Sequence, residues 1–148
     1  MQIKLTILVA SFLLGSLLAA AQQTVSGYLL VHNNSGLAGS IPQKEIGKIF
    51  QGKYSRWPKT QKQVIILLPS SKHPNAVATT KLMGFGTFKE MQKFWLSMVF
   101  QGRFSAPVFL DSDQEILDYI IRNTGAVGIV SADLIQTLKK DTYSQITD

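Results

Sequence analysis

The residues best equipped for chemistry fall in a few short runs. Ser70-Ser71-Lys72-His73-Pro74-Asn75 places two hydroxyls, a cation, an imidazole and an amide just after an apolar run, Val64–Leu68. Hydroxyls with one cation suit a small oxyanion. A strand-to-helix hand-over is also where open α/β sheets bind ligands and where free helix N–H groups meet anions. The competing reading is a helix cap: Ser71 or His73 closes the helix starting near Asn75, and Lys72 stays in water. His32-Asn33-Asn34-Ser35 offers amides and a hydroxyl after another apolar run, yet Asn-Asn-Ser-Gly is also ordinary turn chemistry. Thr124 precedes Gly125 at what reads equally as a helix stop. The candidates for binding an anion are therefore Ser70, Ser71, Lys72, His73, Asn75, Asn33, Asn34 and Thr124.

Catalytic chemistry finds less support. Asp111, Asp113, Glu115 and Asp118 cluster, but Asp113 and Glu115 fit the first turn of a helix, where the dipole favours carboxylates. No Ser-His-Asp arrangement is present, and Gly84-Phe85-Gly86 lacks the lysine and flanking strand of a phosphate-cradling loop. The chain has no cysteine, which removes thiol chemistry, disulfides and cysteine metal sites. His32 and His73 have no carboxylate at metal-ligand spacing, so neither a metal nor a cofactor is expected. The expectation is a protein that is not an enzyme.

Ahead of these runs, Lys4, the apolar stretch Leu5–Leu18 and the small residues Ala19-Ala20-Ala21 form the pattern of a cleavable signal peptide over residues 1–21. Export to the periplasm is the expected localisation, with residues 22–148 as one domain. The formal net charge of +6 favours an anionic partner. Cations are spread between Lys44 and Lys93 without a dense run, and aromatics do not interleave with them, which argues against nucleic acid.

The elements that must position the candidate residues alternate in type. Tyr28–Val31, Val64–Leu68, Val108–Leu110 and Ala126–Val130 read as strands. Ser40 with Gln43 three residues on, Thr87 with Glu90, and Ser112 with Glu115 read as helix N-caps. The expected buried stripes are Ile46, Ile49 and Phe50; then Met91, Phe94, Trp95, Met98 and Val99; then Ile116, Leu117, Ile120 and Ile121. Asn75 to Met83 predicts a short helix and Ala132 to Lys140 a last one, with frayed residues after it. Trp57, Trp95 and Phe85 read as core. The fold class is α/β, a mostly parallel sheet flanked by helices.

Two phrases recur, Ile-Phe-Gln-Gly-Lys-Tyr at Ile49–Tyr54 and Val-Phe-Gln-Gly-Arg-Phe at Val99–Phe104. Their flanks do not match, so each reads as a helix stop: glycine turns the chain, a cation follows, and an aromatic folds back on the core. In order, "IGKIFQGKYSRWPKTQKQVIILLP", "FWLSMVFQGR" and "PVFLDSDQEILDYIIRNTGAVGIVS" resemble the phosphate-type substrate-binding proteins of ABC importers, from about Tyr28 to Leu134. The resemblance implies one lobe of a type II periplasmic binding-protein fold and a phosphate-like oxyanion as ligand. It also implies a membrane transporter component as partner. Where that family carries an arginine and a Ser-Gly-Thr turn, this chain has Pro69 and Ser70–Asn75, and the family's glycine-rich first loop has no counterpart. Two functions are therefore expected in competition. One is weak binding of a small oxyanion. The other is a ligand-free envelope module that docks a partner or a second copy of itself through apolar surface left open by the missing lobe.

Overall fold

The computed structural model describes residues 24–148; the expected signal segment, residues 1–21, lies outside them. Six strands form one sheet: β1 (Thr24–His32), β2 (Ser40–Pro42), β3 (Ile65–Pro69), β4 (Val108–Leu110), β5 (Ala126–Ser131) and β6 (Tyr143–Thr147), in the order β2-β6-β1-β5-β3-β4. β2 runs parallel to β6, β5 to β3 and β3 to β4, whereas β1 is antiparallel to both β5 and β6. Five strands thus share one direction, and β1 alone opposes them.

Alternation along the strands explains why the sheet is covered on both faces. Leu30, Ile66, Leu68, Val127 and Ile129 point into one core with α1 (Gln43–Phe50), α2 (Ala76–Leu82) and α3 (Phe88–Phe100). Leu29, Val31, Leu67, Ala126 and Val130 point into the other, against α4 (Asp113–Arg122). The result is three layers. Trp57 and Trp95 are fully enclosed in the first core, with Phe85 at its margin, as their types suggested.

Two helix starts follow the expected chemistry. The Glu90 amide donates to Thr87 Oγ1 at 3.1 Å and the Glu115 amide to Ser112 Oγ at 3.2 Å. Each glutamate reaches back to the amide before its cap, Gly86 N at 3.0 Å and Asp111 N at 2.7 Å. The third expectation fails. Ser40 is not an N-cap: Ser40–Pro42 pairs with Gln145–Thr147 as strand β2, and Pro42 precedes α1 with no side-chain cap. The C-terminus is not frayed either. Tyr143–Thr147 is an interior strand with Ser144 and Ile146 buried, because β1 and β2 both need an edge partner. Ala132–Thr137 forms a 3-10 turn with no buried residue, in place of the expected last helix.

Both repeated phrases are helix stops of one geometry. The Lys53 amide donates to Lys48 O at 3.0 Å and the Gly52 amide to Ile49 O at 3.1 Å; Arg103 and Gly102 bond Met98 O and Val99 O at 3.0 Å each. Gly52 and Gly102 have φ of 77° and 65°, the left-handed turn that glycine makes without a Cβ penalty. Tyr54 and Phe104 fold back on the first core, where Phe104 meets Trp95 edge-on at 5.2 Å. The cation of the first copy turns away from the helix end: Lys53 lies over the Tyr54 ring and 3.9 Å from Glu45. The two stops also touch, since a Cβ on Gly52 would lie 2.8 Å from Met98 Cε.

Two buried stripes need amendment. Val99 and Ile121 follow the helical spacing but are exposed, Ile121 at 75 %, while Phe94 and Met98 are half-buried. Periodicity names a face; it does not say how far the sheet beneath extends.

Candidate functional site

The carboxyl ends of β3, β4 and β5 meet at one edge of the sheet, where Ser70, Asp111 and Ser131 leave the strands. The Ser70 amide bonds Leu110 O at 2.9 Å, which ties the two loops together. The Ser70 hydroxyl donates to the Asp111 carboxylate and accepts the Lys72 amide at 3.1 Å. This wiring makes a tight turn of Ser70–His73, closed by the His73 amide on Ser70 O at 3.1 Å.

His73 is buried at the floor of that turn. Its Nδ1 accepts the Asn75 amide at 3.0 Å, so the ring proton sits on Nε2 and is donated to Asp113 Oδ1 at 3.0 Å. The other oxygen of Asp113 accepts the Ser131 amide at 3.0 Å. One carboxylate at the start of α4 therefore bolts the β3 loop to the end of β5. Ser131 in turn contacts Asp133 through its hydroxyl at 3.2 Å.

A cleft of about 380 Å³ opens here, lined by His73, Asn75, Ser112, Asp113, Ser131 and Asp133. Asn75 in its lining, and Ser71 and Lys72 in the loop just before it, have side chains that make no hydrogen bond among the described residues, so an amide, a hydroxyl and an ammonium remain free. Asp113 and Asp133 are the carboxylates of the lining, and Lys72 is the one cation of the adjoining loop. A ligand carrying only negative charge meets repulsion, whereas one with both acceptor oxygens and its own O–H matches donors and acceptors alike.

The eight candidate residues do not form one site. Asn33, Asn34 and Thr124 lie at the other end of the sheet, because antiparallel β1 ends where β5 begins. β5 spans roughly 17–20 Å between them and the Ser70 loop. There Asn33 holds the fold: its amide side chain donates to Ile120 O at 2.7 Å, its N–H bonds Ala126 O at 3.1 Å, and its carbonyl accepts the Gly125 amide at 2.8 Å. Asn34 turns the chain at φ 52° and accepts from Thr60 Oγ1 at 2.7 Å; Thr124 is exposed. His32 is likewise enclosed. Its Nδ1 lies 2.9 Å from Ser35 Oγ and its Nε2 3.1 Å from Ser144 Oγ, and burial pushes the imidazole down to about 4 against a smaller upward pull from Asp141.

Sequence reasoning missed Asp113, Ser131 and Asp133 as cleft residues. Their shared signal is position: each follows the carboxyl end of a strand. A second cleft, of about 440 Å³, was also missed, where Lys44, Lys48 and Lys81 gather around Gly47 and Gly84. Glu45, at 2.7 Å from Lys48, offsets part of that charge. Among the described residues no cluster of three or more histidines and carboxylates is placed to hold a metal ion, and no helix is long and apolar enough to cross a membrane.

Neither a protein-family model nor a curated protein matches the chain. Solved structures do. An ABC-type phosphate transport receptor from Vibrio cholerae superposes with a TM-score of 0.57 at 16 % identity, covering 81 % of this chain and 46 % of its own. PstS from Borrelia burgdorferi gives 0.57 at 11 %, covering 81 % and 47 %. A high-affinity periplasmic phosphate-binding protein, PfluDING, bound with phosphate, gives 0.57 at 14 %, covering 82 % and 37 %. The chain spans less than half the length of these structures. The likeness shows the fold, the mixed α/β architecture of phosphate-type binding proteins, as the ordered phrases of the sequence implied.

Proposed function

We propose that the chain is an exported, non-enzymatic solute-binding lobe that takes a small protonated oxyanion, hydrogen phosphate foremost, weakly at the Ser70–Asn75 edge. The observation that carries this reading is the convergence of three strand ends on a cleft lined by Asn75, Ser112, Asp113 and Asp133, with Ser71 and Lys72 free in the loop that leads into it. The donors hold the phosphate oxygens, and the Asp133 carboxylate accepts a hydrogen bond from its O–H. The same carboxylates keep affinity low, because one ammonium does not balance them. Structures of the same fold that bind phosphate support the ligand class.

Thermal melting of the purified protein tests the proposal. Phosphate at about twentyfold above Kd adds roughly 2 kcal/mol, a rise of about 7 °C for a domain of this size. The Ser71→Ala, Lys72→Ala double variant, which removes no bond of the fold, is expected to melt normally and to lose that rise. An unchanged melting temperature across millimolar oxyanions contradicts the proposal.

A further inference from the structure

The outward stripe of α3 has no counterpart in the solute-binding reading. Lys89, Lys93, Leu96, Val99 and Phe100 follow at helical spacing and all are exposed, Leu96 at 59 % and Phe100 at 82 %. Beside them runs β4, the last strand of the sheet, with Phe109 at 41 % exposed. Between helix and strand lies a groove of about 540 Å³, within the size range of small-molecule sites. Leu96, Val99, Pro107 and Phe109 form its apolar walls, Lys89 and Lys93 its cationic end, and no carboxylate lines it.

Trp95 contributes to the same lining, and its Nε1–H is the one buried side-chain donor without an acceptor among the described residues. The other indole, Trp57, donates to Gly125 O at 2.9 Å. A buried donor left unpaired is costly and unusual. Apolar walls and a paired-lysine end together describe a ligand with a greasy body and an anionic head.

We infer that the α3/β4 groove binds a single-chain anionic amphiphile. Its acyl chain lies along Leu96, Val99 and Phe109, and its carboxylate or phosphate meets Lys89 and Lys93. From Lys89 to Val99 the helix advances about 15 Å, the length of an extended laurate-sized chain. A second copy of this chain fits less well, because a two-fold interface presents the same lining twice, and that lining holds no carboxylate to pair with the lysines. A concave groove also suits one chain held singly better than a flat bilayer surface.

Isothermal titration with laurate below its micelle concentration, alongside dodecyltrimethylammonium and decanoate, tests the inference. Laurate is expected to bind saturably at one per protein. The cationic probe of equal chain length should bind at least tenfold more weakly, and decanoate up to roughly tenfold more weakly than laurate. In the Lys89→Glu, Lys93→Glu variant the charge preference should reverse with the melting temperature held, since both lysines are exposed. Three outcomes overturn the inference. They are equal affinity for both head charges, binding confined to phosphatidylglycerol vesicles with none to monomeric laurate, and self-association in sedimentation that competes with laurate.

Discussion

His73 Nε2 lies 3.0 Å from Asp113 Oδ1, and Asp113 Oδ2 lies 3.0 Å from the Ser131 amide, so a single side chain joins the loop after β3 to the end of β5. Both oxygens of that carboxylate are thus engaged within the fold. The cleft is thereby pre-shaped, and its ligand is left to the outer donors Ser71, Lys72 and Asn75.

Removing the bolt should be costly. Asp113→Ala leaves the buried His73 imidazole and the Ser131 amide without an acceptor, and is expected to lower unfolding free energy by about 2–4 kcal/mol in urea titration. Asp113→Asn keeps one acceptor oxygen and should lose about half as much. A change within about 0.5 kcal/mol for the alanine variant would show that the bolt carries no weight.

Stability should also fall in mild acid through His32. Its imidazole, held between Ser35 and Ser144, is depressed to about 4 by burial, whereas the unfolded chain protonates it near 6.5. Because the folded value is the lower, the unfolded state binds the extra proton first. The contribution is complete above pH 6.5 and is lost as pH falls from 6.5 towards 4, by roughly 3 kcal/mol at most. Urea midpoints across that window check it, and His32→Gln should flatten this part of the slope.

The two helix stops should respond unequally to alanine. Gly102 has open space around the position of a Cβ, so Gly102→Ala meets only the left-handed backbone penalty of about 1 kcal/mol. Gly52→Ala adds a contact with Met98 Cε and should cost more. Equal losses in chemical denaturation would contradict the packing of one stop against the other.

Local signals were the legible ones. The strands around Tyr28, Ile66 and Val127, the Thr87 and Ser112 caps and both glycine stops each depend on a few adjacent residues. β2 and β6 were hidden because their pairing, Ser40 with Gln145, spans most of the chain. Ser40 also imitates a cap until Pro42 takes the extended conformation of a strand end. At the site, the Ser70–Asn75 run was readable from the strand before it. Asp113 was not, because its helix-start position already explains a carboxylate. Its second role appears only when α4, β3 and β5 come together. Asn33, Asn34 and Thr124 lie apart from the Ser70 loop for a topological reason: antiparallel β1 delivers its end to the opposite edge.

The proposed solute site stands or falls on where hydrogen phosphate touches the molecule. Amide chemical-shift mapping by heteronuclear NMR, with phosphate and sulfate titrated in parallel, reads this directly. The expected result is a saturable millimolar shift at Ser70–Asn75, Ser112–Asp113 and Ser131 with phosphate, and a much weaker one with sulfate, which brings no proton for the carboxylates. Shifts centred on Lys44, Lys48 and Lys81, or equal responses to both anions, would contradict it.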